Sequence, residues 1–465
     1  MQGRTGQKIA ECALMLFAGL VMAIFAGCGS RTMRVSLPLD SPERFSQSGA
    51  QEMPDEWWTA FGDTALDRLV GQALQSNFSL ESAWQRFREA QAIADREAAG
   101  LFPNIASFFD GEVRRPEFRN TQQFQLGLTA DYELDLWGRI RASIDAEQFR
   151  ASATLADYLA AALSLSAEIV RTWYRVIEAR NQLWLVEQQI ETNEKVLQSL
   201  KTRFGSGQIR GVDILRQQEL LEATREQKIV AESRIAVVQH QLAVLLGRSP
   251  WEEIDSARVR LPQLPLLPET GVPMELVRRR PDVQSAFREL KAADSDLAAA
   301  ISNQYPRLTL SASVSTYSEN ASNLFEEWAR SFTGSLLAPL FYGGRLSAEV
   351  DRTEAVKNQL LYEYGQTILT AFQEVEDALI LEQKQVERIR SLEQQLGFAR
   401  QTYEQLRIEY FNGFADYLDV LTALTDQQQL QRDVLAAHLT LLEYRIALYR
   451  ALAGGIETGR DVERN

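Results

Sequence analysis

The sequence predicts a mainly α-helical chain with a β part: two copies of a long helical hairpin, each carrying a β-hairpin, four strands in all. Three observations carry this. Apolar residues step by three and four through two stretches that lie 206 residues apart. Period-two alternation occupies short segments ahead of each stretch. Prolines fall between these elements and never inside the long helical ones.

The duplication is read residue by residue. Leu183, Val186, Ile190, Asn193, Leu197, Leu200 and Phe204 follow a 3,4 rhythm. Ile389, Leu392, Leu396, Ala399, Tyr403, Leu406 and Tyr410 repeat it at an offset of 206. The same offset maps Gly138-Arg139 onto Gly344-Arg345, Gly207 onto Gly413, Asp213 onto Asp419 and Leu215 onto Leu421. Self-similarity at a fixed period marks a repeat architecture. The spacing places repeat 1 at 58–248 and repeat 2 at 273–455. A linker with five prolines between 250 and 273 separates them, spanning 249–272, and a polar tail covers 456–465.

Each repeat has the same predicted order. A first helix spans about 64–100 and 274–303 and ends before Pro103 and Pro306. A β-hairpin follows, at about 103–137 and 306–343. Its clearest strand runs from Phe124 to Leu136, with every even residue apolar and every odd residue polar except Gly127. Leu308, Leu310, Ala312 and Val314 repeat the pattern. The partner strands, near 332–338 and 104–112, carry a weaker signal. Long helices then run from Arg139 to Phe204 and from Arg345 to Tyr410. A straight helix of that length reaches about 100 Å. Glycine turns at Gly205-Ser206-Gly207 and Asn412-Gly413 lead into return helices ending at Leu246 and Leu452.

Helices this long with a 3.5-residue seam belong in coiled coils with wet outer faces. The strands impose a second constraint. Alternating apolar and polar faces suit a membrane hairpin with lipid outside and water inside. Four strands leave two open edges, which hydrocarbon does not tolerate. If these strands span a membrane, the chain must oligomerise, and three copies give 12 strands. A soluble sheet capping the helices is the alternative.

The N-terminus reads as an export signal. Arg4 and Lys8 precede the apolar run Ala10–Ala26, broken only by Glu11, and Phe25-Ala26-Gly27-Cys28 follows. Residues 1–27 are then a signal peptide, Cys28 the first mature residue, and 28–57 an N-terminal linker. The mature chain keeps one cysteine and has no internal disulfide. The formal charge of −14 argues against a nucleic-acid partner. Two cysteines and two histidines leave no ligand set for zinc or iron–sulfur chemistry, and no carboxylate pair stands apart from the solvated helical faces. The sequence therefore offers no catalytic residue, cofactor site or metal site. His240 and His438 read as partly exposed helix residues.

These motifs together resemble the TolC-like outer-membrane factors, in their lipoprotein, NodT-type branch. The resemblance rests on the cysteine motif at Cys28 (where Phe25 replaces the usual Leu), the doubled turn Phe204, Gly207, Asp213, Leu215 and Tyr410, Gly413, Asp419, Leu421, and Leu-Trp-Gly-Arg at 136–139. The segment from Ala338 to Arg345 matches as well. It implies a homotrimer with a 12-stranded β-barrel in the outer membrane, an α-helical barrel across the periplasm, and diacylation of Cys28. Gly29 fits outer-membrane sorting. The implied partners are outer-membrane lipid, a periplasmic adaptor and an RND-type inner-membrane pump. The implied function is a passive duct for small molecules such as drugs. A duct for type I protein secretion and a pore-free periplasmic scaffold are the alternatives.

Within that frame the hairpin tips form the periplasmic gate. Asp416 and Asp419 are the expected ring, Arg210 the expected partner of an acidic residue on the second tip, and Asp213 and Tyr410 its neighbours. A capping role for Asp213 and Asp419 weighs equally. Tyr410 and Phe204 are expected to pack inside the tip. Gly205, Gly207 and Gly413 are expected to take positive backbone angles in the tip turns. Gly138, Gly343 and Gly344 are the expected swivel from strand to helix, and Trp137 and Tyr342 an interfacial aromatic pair. Trp57 and Trp58 receive no role.

Overall fold

The computed structural model describes residues 42–114, 121–252, 254, 260–454, 456 and 458. The chain divides into two compact units, Met1–Pro38 and Leu39–Asn465, and all the described residues belong to the second. The signal segment, Cys28 and Gly29 lie outside the described residues.

A short 3-10 turn, Trp57–Phe61, leads into helix α1, Thr64–Ser76. Asp63 caps it by accepting the N–H groups of Ala65 and Leu66 at 3.1 and 3.4 Å. Helix α2, Phe78–Ala98, starts at Asn77, whose side chain accepts the Leu80 N–H at 3.0 Å. The sequence predicts one helix over 64–100, and the structure divides it. Asn77 takes extended angles, caps α2 and donates its amide to Leu245 O at 2.9 Å. The second repeat shows the same break. The predicted helix 274–303 is α5, Pro273–Arg279, followed by α6, Pro281–Ser302. Pro281 excludes Arg280 from the helical region.

Between these pairs lie β1, Asn104–Arg114, β2, Thr121–Leu134, α3, Arg139–Gly205, and α4, Gly211–Leu245. After α6 come β3, Arg307–Ser318, β4, Trp328–Leu337, α7, Arg345–Phe411, and α8, Tyr417–Leu452. Helices α3 and α7 each have 67 residues. Their seams are buried at Val186, Asn193, Leu197 and Leu200, and at Ile389, Leu396 and Tyr403.

The strands form one antiparallel sheet in the order β1-β2-β3-β4. The two hairpins join through β2 and β3, with Leu128 opposite Val314 and Ala130 opposite Ala312. Strands β1 and β4 are the edges, and β4 is exposed along its whole length. One face gathers Ile105, Phe109, Leu126, Leu128, Val314 and Phe332. The other carries Asp110, Glu112, Gln125, Asp131, Ser311 and Ser331. Leu136 lies beyond the end of β2.

The largest core sits where α1 and the 3-10 turn meet α3, α4 and α8. Trp57 and Trp58 are buried in it. Trp57 stacks on Tyr449 at 5.8 Å and donates its indole N–H to Ser166 Oγ at 3.3 Å. Trp173 donates to Asp63 at 3.0 Å, so the cap of α1 is also tied to α3. A second cluster seats Phe45 on Leu276, Val375 and Leu448. Residues 261–272 of the proline linker run without helix. Gly49 donates to Pro268 O, and a buried Arg445–Glu382 pair, at 2.6 Å, reaches Leu266 O at 2.8 Å. His240 is exposed on α4, and His438 is half-buried on α8 with Nε2 3.7 Å from Glu393.

Candidate functional site

The tips of the two helical hairpins share one backbone design. Gly207 donates to Phe204 O and Gln208 to Arg203 O; Gly413 donates to Tyr410 O and Phe414 to Glu409 O. These are two Schellman closures, which require a left-handed residue just past the helix. Gly207 supplies it with φ +73° and Gly413 with φ +80°. Gly205, grouped with them from the sequence, does not. It is the last residue of α3 and keeps helical angles, because the closure places the left-handed residue two positions later.

The return helices begin at Arg210 and Asp416, which occupy equivalent positions in the two repeats. Neither side chain caps its own helix. The Arg210 guanidinium instead lies 3.3 Å from Asp416 Oδ1 and 3.8 Å from Asp213 Oδ1. Arg210 and Asp416 are both exposed, while Asp213 is buried. The N-cap alternative for Asp213 and Asp419 fails on position. Both stand in the first turn, three residues after the cap. Asp419 is exposed, unlike its counterpart Asp213.

Aromatic packing backs this pair. Tyr410 sits 5.4 Å from Tyr417 and 5.9 Å from Phe411, with the Arg203 guanidinium over both Tyr410 and Phe411. Burial pushes the Tyr410 hydroxyl up from the ordinary tyrosine range. The nearby Asp213 carboxylate adds to the rise, and Arg203 and Arg210 oppose it. Phe204 is half exposed, not packed inside the tip. The first repeat has Gly211 where Tyr417 stands in the second, so the Phe204 ring lies against the Gly211 backbone and finds no partner ring among the described residues.

Behind the tip a buried polar chain links α3, α4 and α8. Tyr417 donates to Gln217, and Gln217 donates to Asn193 O at 2.9 Å. Asn193 donates to Thr224 at 2.9 Å, Gln428 to Asn193 at 3.0 Å, and Gln189 to Gln428 O at 3.0 Å. Burial pushes the Tyr417 hydroxyl strongly upward, with Tyr403, Tyr410 and Asp213 adding to it. Tyr417, Gln217 and Gln428 are absent from the sequence-derived site. The signal available for them was Asn193, a polar residue in an apolar seam, where such residues fix register.

The strand-to-helix junctions hold Gly138, Gly343 and Gly344 at φ +75°, +59° and +81°. The first junction is braced. Asp135 accepts the N–H groups of Ile140 and Arg141 at 2.9 and 3.0 Å. Trp137 donates to Pro306 O at 2.7 Å and stacks on Tyr305 at 5.0 Å. Ser302 donates to Trp137 O at 3.0 Å, tying the first junction to the end of α6. The second junction is open. Leu340 and Phe341 are 94% and 89% exposed, and Tyr342 is half-exposed with Arg345 over its ring at 5.3 Å.

A one-sided apolar sheet whose two edges are free among the described residues, mounted on paired helical hairpins about 100 Å long, defines a class of membrane duct subunit. The chain belongs to the outer membrane efflux protein family, whose profile matches residues 69–248 and 272–454. It is 30% identical to the pyoverdine export outer membrane protein OpmQ of Pseudomonas aeruginosa, over 94% of this chain and 96% of that protein. It is 26% identical to the cation efflux system protein CusC of Escherichia coli K12, over 96% of this chain and 100% of that one. The solved outer-membrane channel OprN superposes with a TM-score of 0.85 at 28% identity, covering 92% of this chain and 99% of that one. As a member of this family the chain is an outer-membrane protein whose helices extend into the periplasm.

Proposed function

We propose that the chain is the outer-membrane duct of a tripartite efflux assembly, a passive conduit and not an enzyme. One observation carries this: a sheet with an apolar face whose β1 and β4 edges are both unpaired among the described residues. In hydrocarbon such edges must be closed by further strands. Three copies bring β4 of one chain to β1 of the next and close 12 strands. The exposed Leu340 and Phe341 just past β4 support a neighbouring protomer there. A pore-free scaffold has no use for an apolar sheet face of this size.

The helical tips are the periplasmic end, where an adaptor joins the duct to an inner-membrane pump. Arg210 and Asp416 hold the two hairpins of a protomer together at that end. Three copies of Asp416 and Asp419 surround the axis and favour cations. The names of the relatives, a siderophore exporter and a cation efflux protein among them, support export of small molecules. Acylation of Cys28 anchors the mature chain, and labelled palmitate in the wild type but not in Cys28→Ser would support it.

The duct reading is tested by purifying the full chain in detergent and inserting it into planar bilayers. The expected result is a heat-resistant trimer with discrete ion conductance. A monomer without conductance overturns it.

A further inference from the structure

The register divides the sheet cleanly. On the apolar face stand the odd residues of β1 and the even residues of β2, β3 and β4. Among the described residues of that face, one is charged: Arg330 of β4, opposite Val314. Asp110, Glu112, Asp131 and Glu133 all stand on the opposite face. Arg330 is exposed, and no ion pair holds it among the described residues. A second chain pairing its β1 with β4 does not change this. Its Ile105, Ser107, Phe109 and Val113 share the face with Arg330, and its carboxylates fall on the other side.

The position along the strand matters as much as the face. Strand β4 runs from the hairpin tip toward α7. With the helices in the periplasm, its tip end is the outer one. Trp328 stands at that end, opposite Thr316, and Phe332 lies deeper, opposite Ala312. Arg330 is therefore one face position inward of Trp328, about 7 Å along the strand. An arginine at mid-membrane is costly, and one near the interface is tolerated when its head reaches the lipid headgroups. The polar Ser318 and Gln122 occupy the same face toward the tips.

We propose that Arg330 is a lipid-binding residue that takes a phosphate of the phosphorylated glycolipid of the outer leaflet, lipid A. The guanidinium suits this ligand because it presents planar paired donors to phosphate oxygens. Trp328 sits at the headgroup level above it, and Phe332 lies along the acyl chains below. This rests on reading the sheet as a wall of the outer-membrane barrel.

The test uses the full-length trimer in detergent and counts bound lipid by native mass spectrometry. The probes are diphosphoryl lipid A, dephosphorylated lipid A and phosphatidylglycerol. Wild type is expected to bind diphosphoryl lipid A, and Arg330→Leu to bind it about tenfold more weakly, the loss of one charge-assisted contact. Arg330→Lys is expected to retain part of the affinity. Equal binding by wild type and Arg330→Leu overturns the proposal, as does equal binding of dephosphorylated lipid A. Phosphatidylglycerol bound as tightly through Arg330 overturns the assignment to lipid A. Flotation of the wild type with liposomes is measured alongside. Its failure would remove the barrel reading itself, whereas flotation without lipid A dependence removes only this inference.

Discussion

Arg210 and Asp416 are equivalent residues of a duplicated sequence, and they face each other as an ion pair at 3.3 Å. Duplication alone puts like residues at like positions. Here divergence to opposite charge turned an equivalence into a contact between the two hairpins of one protomer. The pair is exposed, so its worth to stability is small, about 0–1 kcal/mol. Its consequence lies in how the tips are held.

Conductance should therefore respond more than stability does. Asp416→Ala with Asp419→Ala is expected to raise single-channel conductance in bilayers, and Arg210→Ala to raise it alone. The exchange Arg210→Asp with Asp416→Arg restores the pair and is expected to bring conductance back toward wild type. Unchanged conductance in both the Asp416→Ala/Asp419→Ala and the Arg210→Ala variants would remove the tips as the constriction.

The two glycines of the first tip make opposite predictions. Gly207→Ala forces a side chain into left-handed angles and is expected to cost about 1–2 kcal/mol. Gly205→Ala lies in helical backbone and is expected to gain up to about 1 kcal/mol. Thermal melts of the two variants, run in parallel, check the sign of each.

Tyr417→Phe leaves Gln217 without its donor in a buried site. The expected cost is about 1–3 kcal/mol. Burial raises the tyrosine above its ordinary value of about 10, so the folded protein keeps the proton that the unfolded chain releases. That contribution is complete below pH ~10 and is lost as pH rises through the folded-state value. Melting temperature should fall on the alkaline side, and the fall should be shallower in Tyr417→Phe. Tyr403 and Tyr410 are shifted the same way and should keep it from vanishing.

Gly127 marks a close approach inside the sheet. A Cβ there would come within 2.8 Å of Ser315 Cβ and Val314 O and 2.9 Å of Phe108. Two of these contacts are with the facing strand, which cannot yield without losing register. Gly127→Val is expected to abolish heat-resistant trimers on gels, while Gly111→Ala, whose Cβ meets only aromatic ring edges at 3.5 Å or more, is expected to leave them intact.

The repeat, the four strands and the long helices were legible in the sequence because their signals are local. A 3,4 rhythm and a period of two are carried by neighbouring residues, and proline marks where they stop. Legibility failed where a single residue decides. Asn77 divides a helix by capping the next one, and Gly205 is helical because the turn closes two residues later.

What the sequence by itself determined is the inventory: a duplicated chain, its elements, and the apolar and polar faces of each. Only the tertiary structure decided which copy of each position does what. Helix α3 buries Tyr158, Trp173 and Tyr174 because α2, α4, α6 and α8 surround it. Helix α7 exposes Tyr362, Leu369 and Phe398 because α6 and α8 flank it and its remaining side is open. Asp213 is buried beside Arg210 and Tyr410, whereas its counterpart Asp419 is exposed. Burial is a property of neighbours brought from far along the chain, and a repeat cannot state which of its copies will be in the middle.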